Sequence, residues 1–210
     1  GELLERNTSF AGAAAVSTQR QSIVGPDGNP RLIHVGRTTV NLFSLIGAGI
    51  ALGRDFQDAD GTPEPDGEPA PGRAAAPQRV ILSHDFWRRE YGGDRNIVGA
   101  VIRVDGGPGA GVEVVGVLAP GFELLLPYDA AVERAPDMWM AVRTRFAGGE
   151  RMLAPWRVIA RLSPGVDVGA AQLEMDGFAA DLRQRFPIKG TADLHIAVRP
   201  MHEDLVGEAR

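Results

Sequence analysis

Between Arg79 and Phe122 three rhythms of apolar and polar residues follow one another. Val80, Ile81 and Leu82 form a short run rich in β-branched side chains, which predicts a strand. Phe86, Trp87 and Tyr91 then belong to a helix, with Ser83 offering its side-chain oxygen to the free amides at the helix start and Gly92-Gly93 ending it. Val101 to Val104 alternates apolar with polar, Asp105 to Gly111 is a glycine-rich turn, and Val112 to Leu118 climbs back before Pro120-Gly121 breaks it. The stretch predicts strand, helix, strand, strand.

Upstream, Glu2 to Asn7 reads as the tail of a helix and Phe10 to Gln19 as a strand of small residues. The turn signal Gly25-Pro26-Asp27-Gly28-Asn29-Pro30 joins it to an antiparallel strand over Arg31 to Arg37. Asn41 to Ile46 predicts a short helix with Asn41 or Thr39 as its cap and Gly47 behind it. Asp58 to Pro77 holds five prolines, three glycines and several acids; with no periodicity and nothing to bury, it is expected to be a linker and a surface loop.

Downstream the signals weaken until Met138 to Val142, expected to be a buried strand, and Phe146 to Arg151, expected to be a loop. A strand beginning at Trp156 ends at Pro164-Gly165. Asp167 can cap the helix that follows, whose apolar positions Val168, Ala171, Met175, Phe178, Ala179, Leu182 and Phe186 recur every three or four residues. Arg183 and Arg185 suit its C-terminal dipole, and Pro187 stops it. Leu194 to Val198 alternates as a final strand. Strands outnumber helices, and each strong helix is flanked by strands, so the fold class is α+β.

The order of these segments resembles the extracytoplasmic core domain of MacB-like, FtsX-related permeases of bacterial ABC transporters. Three segments carry the resemblance: Val35 to Phe56, Arg79 to Phe122, and Trp156 to Phe186, together well over half the chain. The acidic Pro-rich loop, the Trp-containing helix start and the Pro-Gly-Phe-Glu turn look closer to permeases with duplicated permease halves than to the drug exporters. The resemblance implies two lobes of mixed sheet with packed helices. Residues 1-56 and 153-210 would form a discontinuous porter-like β-α-β lobe and 57-152 an inserted second lobe, with 58-77 a flexible linker. It also implies transmembrane helices just outside both ends, an ATP-binding subunit or domain in the cytoplasm, a dimer mate or periplasmic adaptor, and a place on the outer face of the cell membrane. Consistent with a piece of something longer, the chain begins at Gly1 and stops at Arg210 inside a polar run.

Composition narrows the chemistry. The 210 residues carry a net charge of −5, which argues against nucleic-acid binding, since phosphates require clustered Lys and Arg. Cysteine is absent, excluding disulfides, zinc–thiolate sites and thiol nucleophiles. The longest apolar stretch, Leu42 to Leu52, is interrupted and too short to span a bilayer, for which about 18 to 20 residues are needed.

No catalytic, cofactor or metal residue is assigned. The Gly47 to Gly53 run lacks G-x-G-x-x-G spacing and opens no helix, so a helix exit with a tight bend is expected rather than a dinucleotide site. The Gly106 to Gly111 cluster lies between strands. Lys189-Gly190-Thr191 lacks the glycines of a phosphate loop, so no ATPase is expected within the chain. Ser83, His84 and Asp85 are adjacent on one helix start and cannot assemble a triad; Ser83 is expected to be a cap. His202-Glu203-Asp204 has Val206 where H-E-x-x-H has its second histidine. The remaining histidines are His34 and His195. Asp58 with Asp60, and Glu64 with Asp66, are expected to be solvated loop acids with nothing to hold them at catalytic separation. Trp87, Trp139 and Trp156 are expected in the core. The expected function is therefore a non-catalytic extracytoplasmic permease domain that couples transmembrane movement to export, extraction or partner contact. A soluble ligand-binding module and a free-standing hydrolase stand as alternatives.

Overall fold

The long β1–β2 hairpin carries the first part of the fold. In the computed structural model β1 spans Phe10–Val24 and β2 Pro30–Thr38, and the two pair antiparallel from Val16↔Thr38 to Val24↔Pro30. The structure describes residues 7–62, 77–104, 111–124, 126, 132–133, 135–143, 156–185 and 195–201. β1 therefore runs past the expected end at Gln19, because pairing continues right up to the turn. There Gly28 takes a positive φ of 81° and its amide donates to the Gly25 carbonyl.

The short helix α1 (Leu42–Ile46) follows, closed by Gly47 in the left-handed region. Its expected side-chain cap is not made. Asn41 Oδ1 instead accepts the Thr39 hydroxyl at 2.8 Å. β3 (Ile50–Gly53) comes next, so the glycine-flanked run after α1 is a strand, its polar groups satisfied against β6. β4 (Gln78–Leu82), α2 (His84–Tyr91), β5 (Val101–Arg103), β6 (Gly111–Leu118) and β7 (Met138–Ala141) complete the middle of the chain. β8 (Arg157–Leu162) and α3 (Val168–Arg185) close it. The Gly106 to Gly111 turn and the Glu2 to Asn7 helix lie outside the described residues apart from Gly111 and Asn7, and the Phe146 to Arg151 loop lies wholly outside them.

The chain divides into two compact units, one of residues 14–158 and one of residues 1–13 with 159–210. β2 bonds to both β1 and β7 and so ties residues 14–38 into the sheet of the larger unit.

In the larger unit the strand order is β3-β6-β4-β7-β2-β1, with β5 on β6. β2 with β7 and β4 with β6 are parallel; the pairs β4–β7, β3–β6 and β5–β6 are antiparallel. The β4–α2–β5–β6 succession is thus the predicted strand, helix and hairpin, folded so that β6 returns beside β4. Central strands are covered on both faces, which is why Val80, Ile81 and Leu82, and Met138 to Ala141, are apolar without alternation. On one face Phe86 of α2 packs into a core with Val80, Leu82, Val114, Val117 and Met138. On the other, Trp139 meets Phe43 of α1 and Phe122 edge-on, at centroid separations of 5.5 and 6.1 Å.

In the smaller unit β8 neighbours the start of β1 in the sheet. α3 is capped as expected, Asp167 Oδ1 accepting the Ala170 amide at 2.7 Å. Ala171, Met175 and Ala179 are its buried positions. The expected strand over Leu194 to Val198 is not formed among the described residues, 195–200 carrying no strand pairing. The mixed sheet with packed helices makes the protein α+β.

Candidate functional site

In the unit built from both chain ends, one helix holds the extended segments that lie next to those ends. The Glu174 carboxylate of α3 accepts the Thr8 amide at 2.8 Å, the Ser9 amide at 2.9 Å and the Thr8 hydroxyl at 3.3 Å. These bonds from Ser9 and Thr8 hold the Glu174 carboxyl below the ordinary carboxylate value. Ser163, just after β8, donates its amide to the Ser9 carbonyl and its hydroxyl to the Thr8 carbonyl. Asn7 caps the same stretch through Phe10, whose amide it accepts at 2.8 Å.

At the other end of the chain the Gln172 carboxamide takes the place of a neighbouring strand. Its Nε2 donates to the Ile196 carbonyl at 2.9 Å, and its Oε1 accepts the Val198 amide at 2.7 Å. The remaining amide hydrogen goes to Asp176 Oδ1 at 2.8 Å, one turn along the helix. Gln172 and Glu174 are two residues apart and so point to different sides of the helix. α3 is therefore bonded on one side to residues 8–9 and on another to residues 196–198. The alternating pattern at the C-terminal end has this physical cause: Ile196 and Val198 are partly buried while His195, Ala197 and Arg199 are exposed, yet the ladder is supplied by a single side chain.

The larger unit contains two clusters of charged side chains. Asp60, expected to be a solvated linker acid, is 5 % exposed. It lies in a 3-10 turn over Asp58–Gly61, where Arg54 grips its carboxylate with two nitrogens and the Gln57 amide donates at 2.8 Å. Burial alone would raise its pKa, but these bonds and the charges of Arg54 and Arg79 outweigh burial and lower it. Arg79 also pairs with Glu113. A second chain of charges links the hairpin turn to α2 and to the start of β7: Asp27 to Arg31, Arg31 to Glu90, Glu90 to Arg89, and Arg89 to Asp137. Hydrogen bonds, first from the Asn29 side chain, lower the Asp27 carboxyl to about 2.

The other sequence candidates are placed as follows. Ser83 is a helix cap, its Oγ accepting the Phe86 amide at 3.2 Å. His84 stacks edge-on against Trp87, 3.6 Å from Asp85, and His34 faces Glu133 at 3.1 Å. Trp139 is fully buried, Trp87 packs on the core edge with its Nε1 donating to the Asp94 carbonyl, and Trp156 lies under the Arg37 guanidinium. Glu64, Asp66, Lys189 and His202 lie outside the described residues. Among the described residues no cluster of His, Asp or Glu could hold a metal ion, and no helix is long and apolar enough to cross a membrane. Sequence reading missed Gln172 and Glu174, since neither belongs to a motif and both read as polar positions of an amphipathic helix.

Three comparisons bear on the chain. A family model described as the MacB-like periplasmic core domain matches residues 1–178. No curated protein matches. Among solved structures the chain is similar to the periplasmic region of MacB from Actinobacillus actinomycetemcomitans, at 12 % identity and a TM-score of 0.58, covering 90 % of this chain and 73 % of that one. A domain assigned to a permease protein of Porphyromonas gingivalis matches at 13 % identity and a TM-score of 0.58, covering 98 % and 86 %. The extracellular domain of the noncanonic ABC-type transporter YknZ from Gram-positive bacteria matches at 16 % identity and a TM-score of 0.56, covering 90 % and 82 %. At these identities the likeness is one of fold.

Proposed function

Since the chain belongs to the MacB-like periplasmic core domain family, we propose that it is the extracytoplasmic part of a bacterial ABC-transporter permease. In this reading it is non-catalytic and passes conformational change between transmembrane helices and the outside. The helices would precede and follow it in the same polypeptide, and ATP would be hydrolysed by a separate domain or subunit in the cytoplasm. A dimer mate or periplasmic adaptor would receive the motion on the outer side.

The observation that carries this reading is the bonding of α3 to both extended segments. Glu174 holds residues 8–9 and Gln172 holds residues 196–198. A displacement arriving through either end is thereby delivered to one rigid helix, which is what a coupling domain attached at both ends requires.

Two measurements test the proposal. The flanking sequence of the full-length polypeptide is expected to contain apolar stretches of about 20 residues on both sides. Hydrogen exchange of the full-length permease in bilayers, with and without a non-hydrolysable ATP analogue, is expected to change across residues 168–185 when nucleotide binds. Polar flanks, or exchange in α3 that ignores nucleotide while the partner ATPase is active, would defeat the reading.

A further inference from the structure

We propose that Gln172 is a latch: the segment 195–200 is strapped to α3 through this one side chain and can leave the helix while the segment at residues 7–9 stays attached. The inference rests on the proposed coupling function, and it adds that residues 8–9 and 196–198 are held unequally.

The inequality follows from the donors and acceptors at each end. Residues 8–9 are held by an ionised carboxylate that accepts three hydrogen bonds, and charge-assisted bonds are roughly twice as strong as neutral ones. Two further bonds from Ser163 reach the Thr8 and Ser9 carbonyls, and the chain continues directly into β1. Ile196 and Val198 have a neutral carboxamide instead, with one donated and one accepted bond. Among the described residues 195–200 form no strand ladder, so nothing of the sheet backs these two bonds up.

Gln172 is also set in one orientation. With one Nε2 hydrogen committed to Asp176 Oδ1 and the other to Ile196, its Oε1 is left facing Val198. Removing the side chain opens both strap bonds at once, whereas α3 keeps its buried face of Ala171, Met175 and Ala179 and its Asp167 cap. A latch of this kind separates release of one end from unfolding of the helix.

The test is amide hydrogen exchange on the 210-residue chain, wild type beside Gln172→Ala and Gln172→Glu. Exchange at the Val198 amide is expected to rise about tenfold in Gln172→Ala, the loss of two modest bonds, with the Thr8 and Ser9 amides unchanged within about twofold. Gln172→Glu keeps an acceptor for Val198 but loses both donated bonds and places a charge beside Asp176, so it is expected to fall between the two. Exchange at Val198 that stays within about twofold of wild type in Gln172→Ala would overturn the latch. So would an equal rise at Thr8, Ser9 and Val198, which would mean that α3 loosens as a whole. Because this experiment needs neither membrane nor nucleotide, its failure leaves the nucleotide-dependent test of the coupling function standing.

Discussion

Arg54 presents two nitrogens to the carboxylate of Asp60, Nη1 at 2.6 Å from Oδ2 and Nη2 at 3.1 Å from Oδ1. This bidentate pair closes the turn that follows β3. Arg79 stands 3.7 Å from the same carboxylate, and its Nη1 lies 3.4 Å from the carbonyl of Pro77, just before β4.

Replacing Asp60 with Ala is expected to destabilise the protein by about 1 to 3 kcal/mol. Breaking a fully buried pair costs about 3 to 5 kcal/mol, but the Arg54 side chain keeps 38 % exposure and can rehydrate, which discounts the loss. The pH dependence has a definite sign. Because the folded-state pKa of Asp60 is lowered from 3.8, its contribution is complete above that value and is lost as pH falls through the lower folded value. Urea denaturation of wild type and Asp60→Asn at pH 7 and pH 3 should therefore show a gap that narrows on acidification.

Gly36 and Trp139 face each other in the parallel β2–β7 register, and a Cβ at position 36 would stand 2.4 Å from the indole Cε3. Gly36→Ala is expected to cost at least about 1 to 3 kcal/mol, because the ring is fully enclosed and has nowhere to move. In thermal melts that is a fall of several degrees for a chain of this size. Trp139→Phe should recover part of the loss in the double variant, since the smaller ring frees space and the indole Nε1 has no hydrogen-bond partner among the described residues to forfeit.

Ser83→Ala is expected to cost about 1 kcal/mol by leaving the Phe86 amide without its acceptor, and Ser83→Asp to be close to neutral. Chemical denaturation of the three proteins checks both. A larger effect of the aspartate than of the alanine would deny Ser83 its capping role.

The strand, helix and hairpin between Arg79 and Phe122 were legible because each signal there is local. An apolar run, a serine cap, paired glycines and a turn between alternating segments each act within a few residues. Asp60 was misread for the complementary reason. Its sequence neighbours are those of a solvated loop, and the two arginines that bury it come from before the turn and from β4. The final alternating segment was misread as a strand because periodicity reports which side chains face inward, not what supplies the hydrogen bonds.

Taken by itself, the sequence determined the α+β class, the order of the main elements, the α2 and α3 caps and the family, all of which depend on residue types at short spacing. Tertiary structure alone decided which non-consecutive strands lie side by side, why Gly36 must lack a side chain, and how residues 8–9 and 196–198 are held. Those depend on contacts between residues as much as 166 positions apart, such as Thr8 and Glu174, and no local pattern encodes them, because a polar helix position looks the same whether it meets water or another segment's backbone.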